Sequence, residues 1–105
     1  MTTNRQRAIA KEIQILIPAA PYADSEPIKA AASSAHLKSL PASIAVWLSI
    51  IAYIRHNYTD YDQLRDDGYD KDSARFFVLE ATNAKLTEWR ATRFLTSEEE
   101  EQEIY

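Results

Sequence analysis

The apolar residues of this chain recur at helical spacing, and nowhere do they alternate as a half-buried strand requires. Ile9, Ile13, Leu16 and Ile17 fall at i, i+4, i+7 and i+8, one face of a helix from about Asn4 to Ile17. Pro18 and Pro21 end it. Asp24 is placed to cap a second helix, with Glu26 and Pro27 in its first turn and Ile28, Ala31, Ala32 and Ala35 along one side. That helix fades between His36 and Leu40. A third, Ala42 to His56, is apolar nearly all round, so it is expected at the centre of the fold. Asn57-Tyr58 reads as its break. Thr59 then caps a short fourth helix, with Asp62 reaching back as in a capping box. It ends at Asp67, and Gly68 supplies the left-handed residue after it. Asp70 caps a fifth helix, Lys71 to about Arg93, whose apolar residues form no single stripe. Ala74, Val78 and Ala81 lie on one side, Phe76, Leu79 and Leu86 toward the other, and Phe77 and Trp89 widen the apolar area. Such a helix either threads between several others or offers a second face to a partner.

The pattern predicts an all-α, compact single-domain bundle of about five helices over 1–96, built around the buried helix 42–56. The acidic tail, 97–105, is expected to fray, because adjacent glutamates repel one another. Glycine usage agrees: Gly68 is the single glycine in 105 residues, whereas β-rich domains need many at their turns. A chain of this length is one domain and can bury its own core. It needs no disulfide, and it has no cysteine. That excludes thiolate catalysis and cysteine-ligated metals, and it fits a reducing, cytoplasmic setting. Arg5 and Arg7 are followed by Lys11 and Glu12 rather than by an apolar export segment. The longest apolar stretch, Ile44 to Ile54, falls well short of the roughly 20 residues a spanning helix needs, so no membrane partner is expected. The formal charge of −4 belongs to the tail: without Glu98, Glu99, Glu100, Glu101 and Glu103, the 12 basic residues outnumber the acidic ones by one.

The stretch richest in chemistry is Ile54-Arg55-His56-Asn57-Tyr58-Thr59-Asp60-Tyr61-Asp62, followed by Leu64, Gly68-Tyr69, Ala74-Arg75 and Val78, with Trp89-Arg90 downstream. This pattern resembles domain-of-unknown-function family 2293, found as short bacterial proteins and as segments of fungal ones. The likeness is clear over roughly residues 40 to 93 and looser over the first two helices. It implies no activity. The family pattern carries histidines where this chain has Tyr53 and Tyr58, so a metal site built on them would be lost here.

Read from the residues themselves, His56 with Asp60 and Asp62 suggests metal ligands or an acid–base pair. Metal sites need three or more converging ligands, and His36 is the only other histidine. Arg55 and His56 at a helix C-terminus also suit the helix dipole without special geometry. A calcium loop fails on register: Gly68 at its sixth position puts Gln63 and Arg65 at the first and third. A helix–turn–helix drawn through Tyr61 to Leu86 would present Asp70-Lys71-Asp72-Ser73, beside Asp66 and Asp67, to a phosphate backbone that repels them. One glycine cannot build a phosphate-binding loop, and no strand–turn–helix nucleophile elbow is present. No catalytic residue, cofactor or metal is assigned. The candidate motif is Arg55, His56, Thr59, Asp60, Tyr61, Asp62, Gly68 and Arg75, read structurally. Thr59 and Asp62 fix the start of helix four and Gly68 its end. Arg75 reaches back to Asp60 or Asp62 with a bidentate fork. Tyr61 and Tyr69 turn their rings inward and keep their hydroxyls wet.

These residues point first to a non-catalytic protein-interaction or assembly module. A homodimer would cover the apolar surplus of helices three and five, which a chain this small has difficulty burying alone. The second reading is a nucleic-acid partner met by Arg5, Arg7, Lys11, Arg90 and Arg93. The third is an enzyme with its site near His56 and Asp60.

Overall fold

The computed structural model describes residues 3–97; the acidic segment 98–105, for which fraying is expected, lies outside them. The fold is all-helical, with six α-helices among these residues. The first, α1 (Asn4–Leu16), starts in a capping box: the Thr3 hydroxyl accepts from the Gln6 amide, and the Gln6 side chain accepts from the Thr3 amide. Its Ile9 and Ile13, with Ile17 just beyond its end, are buried on the expected face.

Helix α2 (Tyr22–Ala32) begins earlier than expected, after Pro21, which offers no capping side chain. Asp24 is therefore not its cap. It sits inside the first turn, is buried, and accepts from two tyrosines of the next helix. Pro27 lies within the helix rather than in its first turn. Ile28 and Ala32 are buried, whereas Ala31 and Ala35 face solvent, so the apolar stripe is narrower than expected. A 3-10 turn, Ala35–Leu37, buries Leu37 and leads to Pro41.

Helix α3 (Ala42–Tyr58) is the central element, packed against α1, α2, α6 and α4. Val46, Trp47, Ile50, Ile51 and Ile54 are buried along it. It runs past His56 because Asn57 does not break it: the Asn57 side-chain amide donates to the Tyr53 carbonyl, 2.9 Å away, and bridges the last turn.

Helix α4 (Tyr61–Asp66) ends as expected at Gly68, whose φ of 103° is left-handed. The Gly68 amide donates to the Arg65 carbonyl and the Tyr69 amide to the Leu64 carbonyl, both at 3.1 Å. That pair is the Schellman arrangement, and it satisfies carbonyls the helix end would otherwise strand. Asp70 caps α5 (Lys71–Phe77), accepting from the Ser73 amide at 2.8 Å.

The expected fifth helix, 71–93, is two helices. After α5 the backbone bends at Val78 (φ −102°, ψ 7°), and α6 (Leu79–Glu88) follows. Burial supplies the reason. Ala74 and Val78 join Tyr61 in a small cluster under α4, while Leu86 and Trp89 belong to the main core on α3. One straight helix cannot aim those two sets in different directions. The missing single stripe in the sequence is the trace of this bend. Helix α6 closes in a second Schellman pair, Arg90 amide to Thr87 carbonyl and Ala91 amide to Leu86 carbonyl, with Arg90 itself left-handed (φ 57°). The chain beyond is stitched to the bundle: the Thr92 amide donates to the Leu16 carbonyl, and Asn83 exchanges two hydrogen bonds with the Leu95 backbone.

Candidate functional site

The C-terminal turns of α3, the whole of α4 and the start of α5 meet at one corner of the bundle. Thr59 makes the joint. Its hydroxyl donates to the Arg55 carbonyl at 2.6 Å and accepts from the Tyr61 amide at 3.2 Å. It closes α3 and steers the chain into α4 in one residue. Asp60, not Thr59, occupies the cap position of α4, without a capping side-chain bond. Asp62 does not reach back along the backbone. Its carboxylate instead meets His56 Nδ1 at 2.7 Å, and the His56 ring stands edge-on to Tyr61.

Around this joint lies a concavity of about 370 Å³ lined by Ala52, Arg55, His56, Tyr61, Asp62, Arg65, Lys71 and Arg75. Arg55 and Arg75 are only 3 % and 7 % exposed. Arg55 lies over the Tyr61 ring, 5.9 Å from its centre, and Arg65 Nη1 donates to the Tyr69 carbonyl at 3.0 Å. Three guanidiniums and one ammonium therefore share a concavity whose lining contains one carboxylate, Asp62.

Asp60 faces elsewhere. With Tyr58, Thr59, Leu64, Tyr69, Phe77 and Val78 it lines a second concavity of similar size. The acid–base grouping of His56 with Asp60 thus separates into two surfaces, and His56 keeps Asp62. Next to the second concavity Phe76 and Phe77 are 64 % and 58 % exposed. Phe77 makes edge-on contacts with Tyr69 at 5.4 Å and Phe76 at 6.0 Å. Tyr61 is buried as expected, but Tyr69 keeps much of its ring in solvent.

On α2, Asp24 accepts from Tyr53 Oη at 2.8 Å and Tyr58 Oη at 2.6 Å on the same oxygen. Burial, then the bond to Asp24, pushes the Tyr53 hydroxyl up to about 12 from an ordinary 10.0. Tyr58 is raised too, first by its bond to Asp24. Tyr58 also stands edge-on to Trp89, and Lys85 lies 4.1 Å over its ring. This knot ties α2, α3 and α6 together.

Of the motif residues, the structure gathers Arg55, His56, Tyr61, Asp62 and Arg75 on one concavity, sets Thr59 and Asp60 on the other, and uses Gly68 in the turn between α4 and α5. Arg75 shares its surface with Asp62 rather than Asp60. Sequence reasoning missed Arg65 and Lys71 as members. Their signal was the i, i+4 spacing of Lys71 and Arg75, which sets two cations on one side of a helix. It also missed Asp24, whose acceptor role depends on tyrosines about thirty residues away in sequence. Among the described residues, no group of three or more histidines or carboxylates is placed to hold a metal ion. None of their helices is long and apolar enough to cross a membrane.

The chain belongs to a family of uncharacterized conserved proteins, DUF2293, whose family model matches residues 12–90. That span takes in α2 to α6 and every residue lining the basic concavity. No curated protein and no solved structure matches the chain.

Proposed function

We propose that this chain is a non-catalytic interaction module that associates with a second copy of itself through the outer face of α5. The observation that carries the reading is the exposed pair Phe76 and Phe77, held edge-to-face with each other, with Phe77 also edge-on to Tyr69. Exposed phenylalanines that already pack on one another lose little side-chain entropy when covered, and covering each ring removes a large apolar area from water. A two-fold axis through α5 would set the Phe76–Phe77 pair of one copy against that of the other, as an isologous interface does.

Light scattering over a range of concentrations tests this. A concentration-dependent dimer is expected, and the double variant Phe76→Ser, Phe77→Ser should stay monomeric, keep the wild-type circular dichroism spectrum and lose any rise of melting temperature with concentration. A wild-type chain that remains monomeric at the highest concentrations would remove the reading. The nucleic-acid reading has less support: Arg5 donates to the Leu37 carbonyl and Arg93 stacks 4.2 Å over Trp47, so both serve the fold.

A further inference from the structure

The basic concavity has no part in self-association through α5, and its chemistry asks for a ligand of its own. We propose that it binds the phosphoryl group of a small phosphorylated molecule, of mononucleotide size or less. The first support is charge: Arg55, Arg65, Lys71 and Arg75 line it, and Asp62 is the single carboxylate among the lining residues. Asp62 is engaged by His56 at 2.7 Å, so its charge is partly spent within the site. Four cationic side chains on three helices thus converge on one concavity.

The second support is geometry. Arg55 and Arg75 are almost wholly buried, held in the walls by α3 and α5, while Arg65 and Lys71 stand exposed at the rim. Buried guanidiniums below and exposed cations at the rim is the arrangement in which a phosphate is gripped by forked donors and drawn in by a lysine. Each guanidinium carries five N–H donors, so a contact to the protein does not exhaust it. Partial burial lowers the local dielectric and strengthens the attraction for a divalent anion.

The third support is size. A volume of about 370 Å³ lies at the lower end of the range that small-molecule sites occupy, which fits a phosphomonoester and excludes deep enclosure of a polymer. Asp66, Asp67, Asp70 and Asp72 are exposed where α4 ends, in the turn after it and where α5 begins. They would repel a long polyanion laid across the corner but leave the concavity open to a small one.

Calorimetry on the full chain at low ionic strength tests this, with inorganic phosphate, ribose 5-phosphate and adenosine 5′-monophosphate as probes. Saturable one-to-one binding of at least one phosphomonoester is expected. Arg65→Gln and Lys71→Gln are exposed changes that should leave folding intact, and each should weaken binding about tenfold through loss of a charged contact. Arg75→Gln should abolish binding; its fold is checked by circular dichroism, and the rim variants decide the question if it fails. Equal affinity for all three probes would assign the phosphoryl group alone, and tighter monoester binding would assign contacts to its organic part as well. No saturation by any probe at millimolar concentration overturns the proposal, as does binding that the two rim variants leave unchanged. The Phe76→Ser, Phe77→Ser chain should bind as wild type does, which separates this site from the dimer.

Discussion

Two left-handed residues close helices in the same way, and they carry different side chains. Gly68 (φ 103°) has nothing within 4 Å of where a Cβ would stand, so Gly68→Ala should cost only backbone strain, about 1 kcal/mol. Arg90 (φ 57°) bears that strain already. Arg90→Gly should therefore stabilise the chain, by roughly 0.5 kcal/mol after the added freedom of the unfolded state is counted. Chemical denaturation of both variants checks the opposite signs. At Arg75 the expected change is destabilising: a lysine in that buried position keeps the charge but loses the planar fork, and Arg75→Lys should lower the melting temperature measurably. Gly68 was legible in the sequence because glycine after a short helix has few other uses. Arg90 was not, because nothing in a Trp-Arg-Ala step marks a left-handed turn.

Elements were legible where one physical signal decided them. The i, i+4 apolar face of α1 and the all-round apolar α3 needed no knowledge of their neighbours. The boundaries that shifted are those settled by contacts across the fold. Asp24 has a capping residue's chemistry, and only the hydroxyls of Tyr53 and Tyr58 on α3 explain why it lies buried inside α2 instead. Asp62 likewise finds His56 before it finds a backbone amide. The bend at Val78 follows from two clusters competing for one helix, which local propensity cannot express. The tyrosine–aspartate tie between α2 and α3 makes a pH prediction. The folded state holds the Tyr53 proton up to about pH 12, whereas the unfolded chain releases it near 10.0. The contribution is thus complete below pH 10.0 and lost as pH rises toward 12. Urea midpoints should fall across that window, and Tyr53→Phe with Tyr58→Phe should flatten the fall. An equal slope in the double variant would assign the alkaline loss to other groups.

At the scale of the molecule the core is unevenly divided. The main cluster joins α1, α2, α3 and α6, with Ile9, Ile28, Val46, Ile50, Ile54 and Leu86 among its fully buried members. The candidate site rests instead on a satellite of three buried residues, Tyr61, Ala74 and Val78, with Leu64 packed against them. Apolar burial scales with area, so α4 and α5 have far less holding them down than α3 has. They should open together as a low-stability unit while the rest stays folded, in the way cooperative substructures do. Native-state hydrogen exchange checks this: amides of 64–69 and 74–78 should exchange through openings of lower free energy than those of 46–54. Val78→Ala should widen the gap, since Val78 is buried in the satellite, whereas Ile50→Ala should lower protection in 46–54 by about 2–5 kcal/mol and leave the openings of the satellite nearly unchanged. A weakly anchored corner is also where a ligand has most to offer. A phosphomonoester bridging Arg55 on α3, Arg65 on α4 and Arg75 on α5 would tie all three helices, and protection in 64–78 should then rise with ligand concentration while that in 46–54 changes little at first. Uniform protection across both segments in the free chain would mean that the satellite and the main core unfold as one.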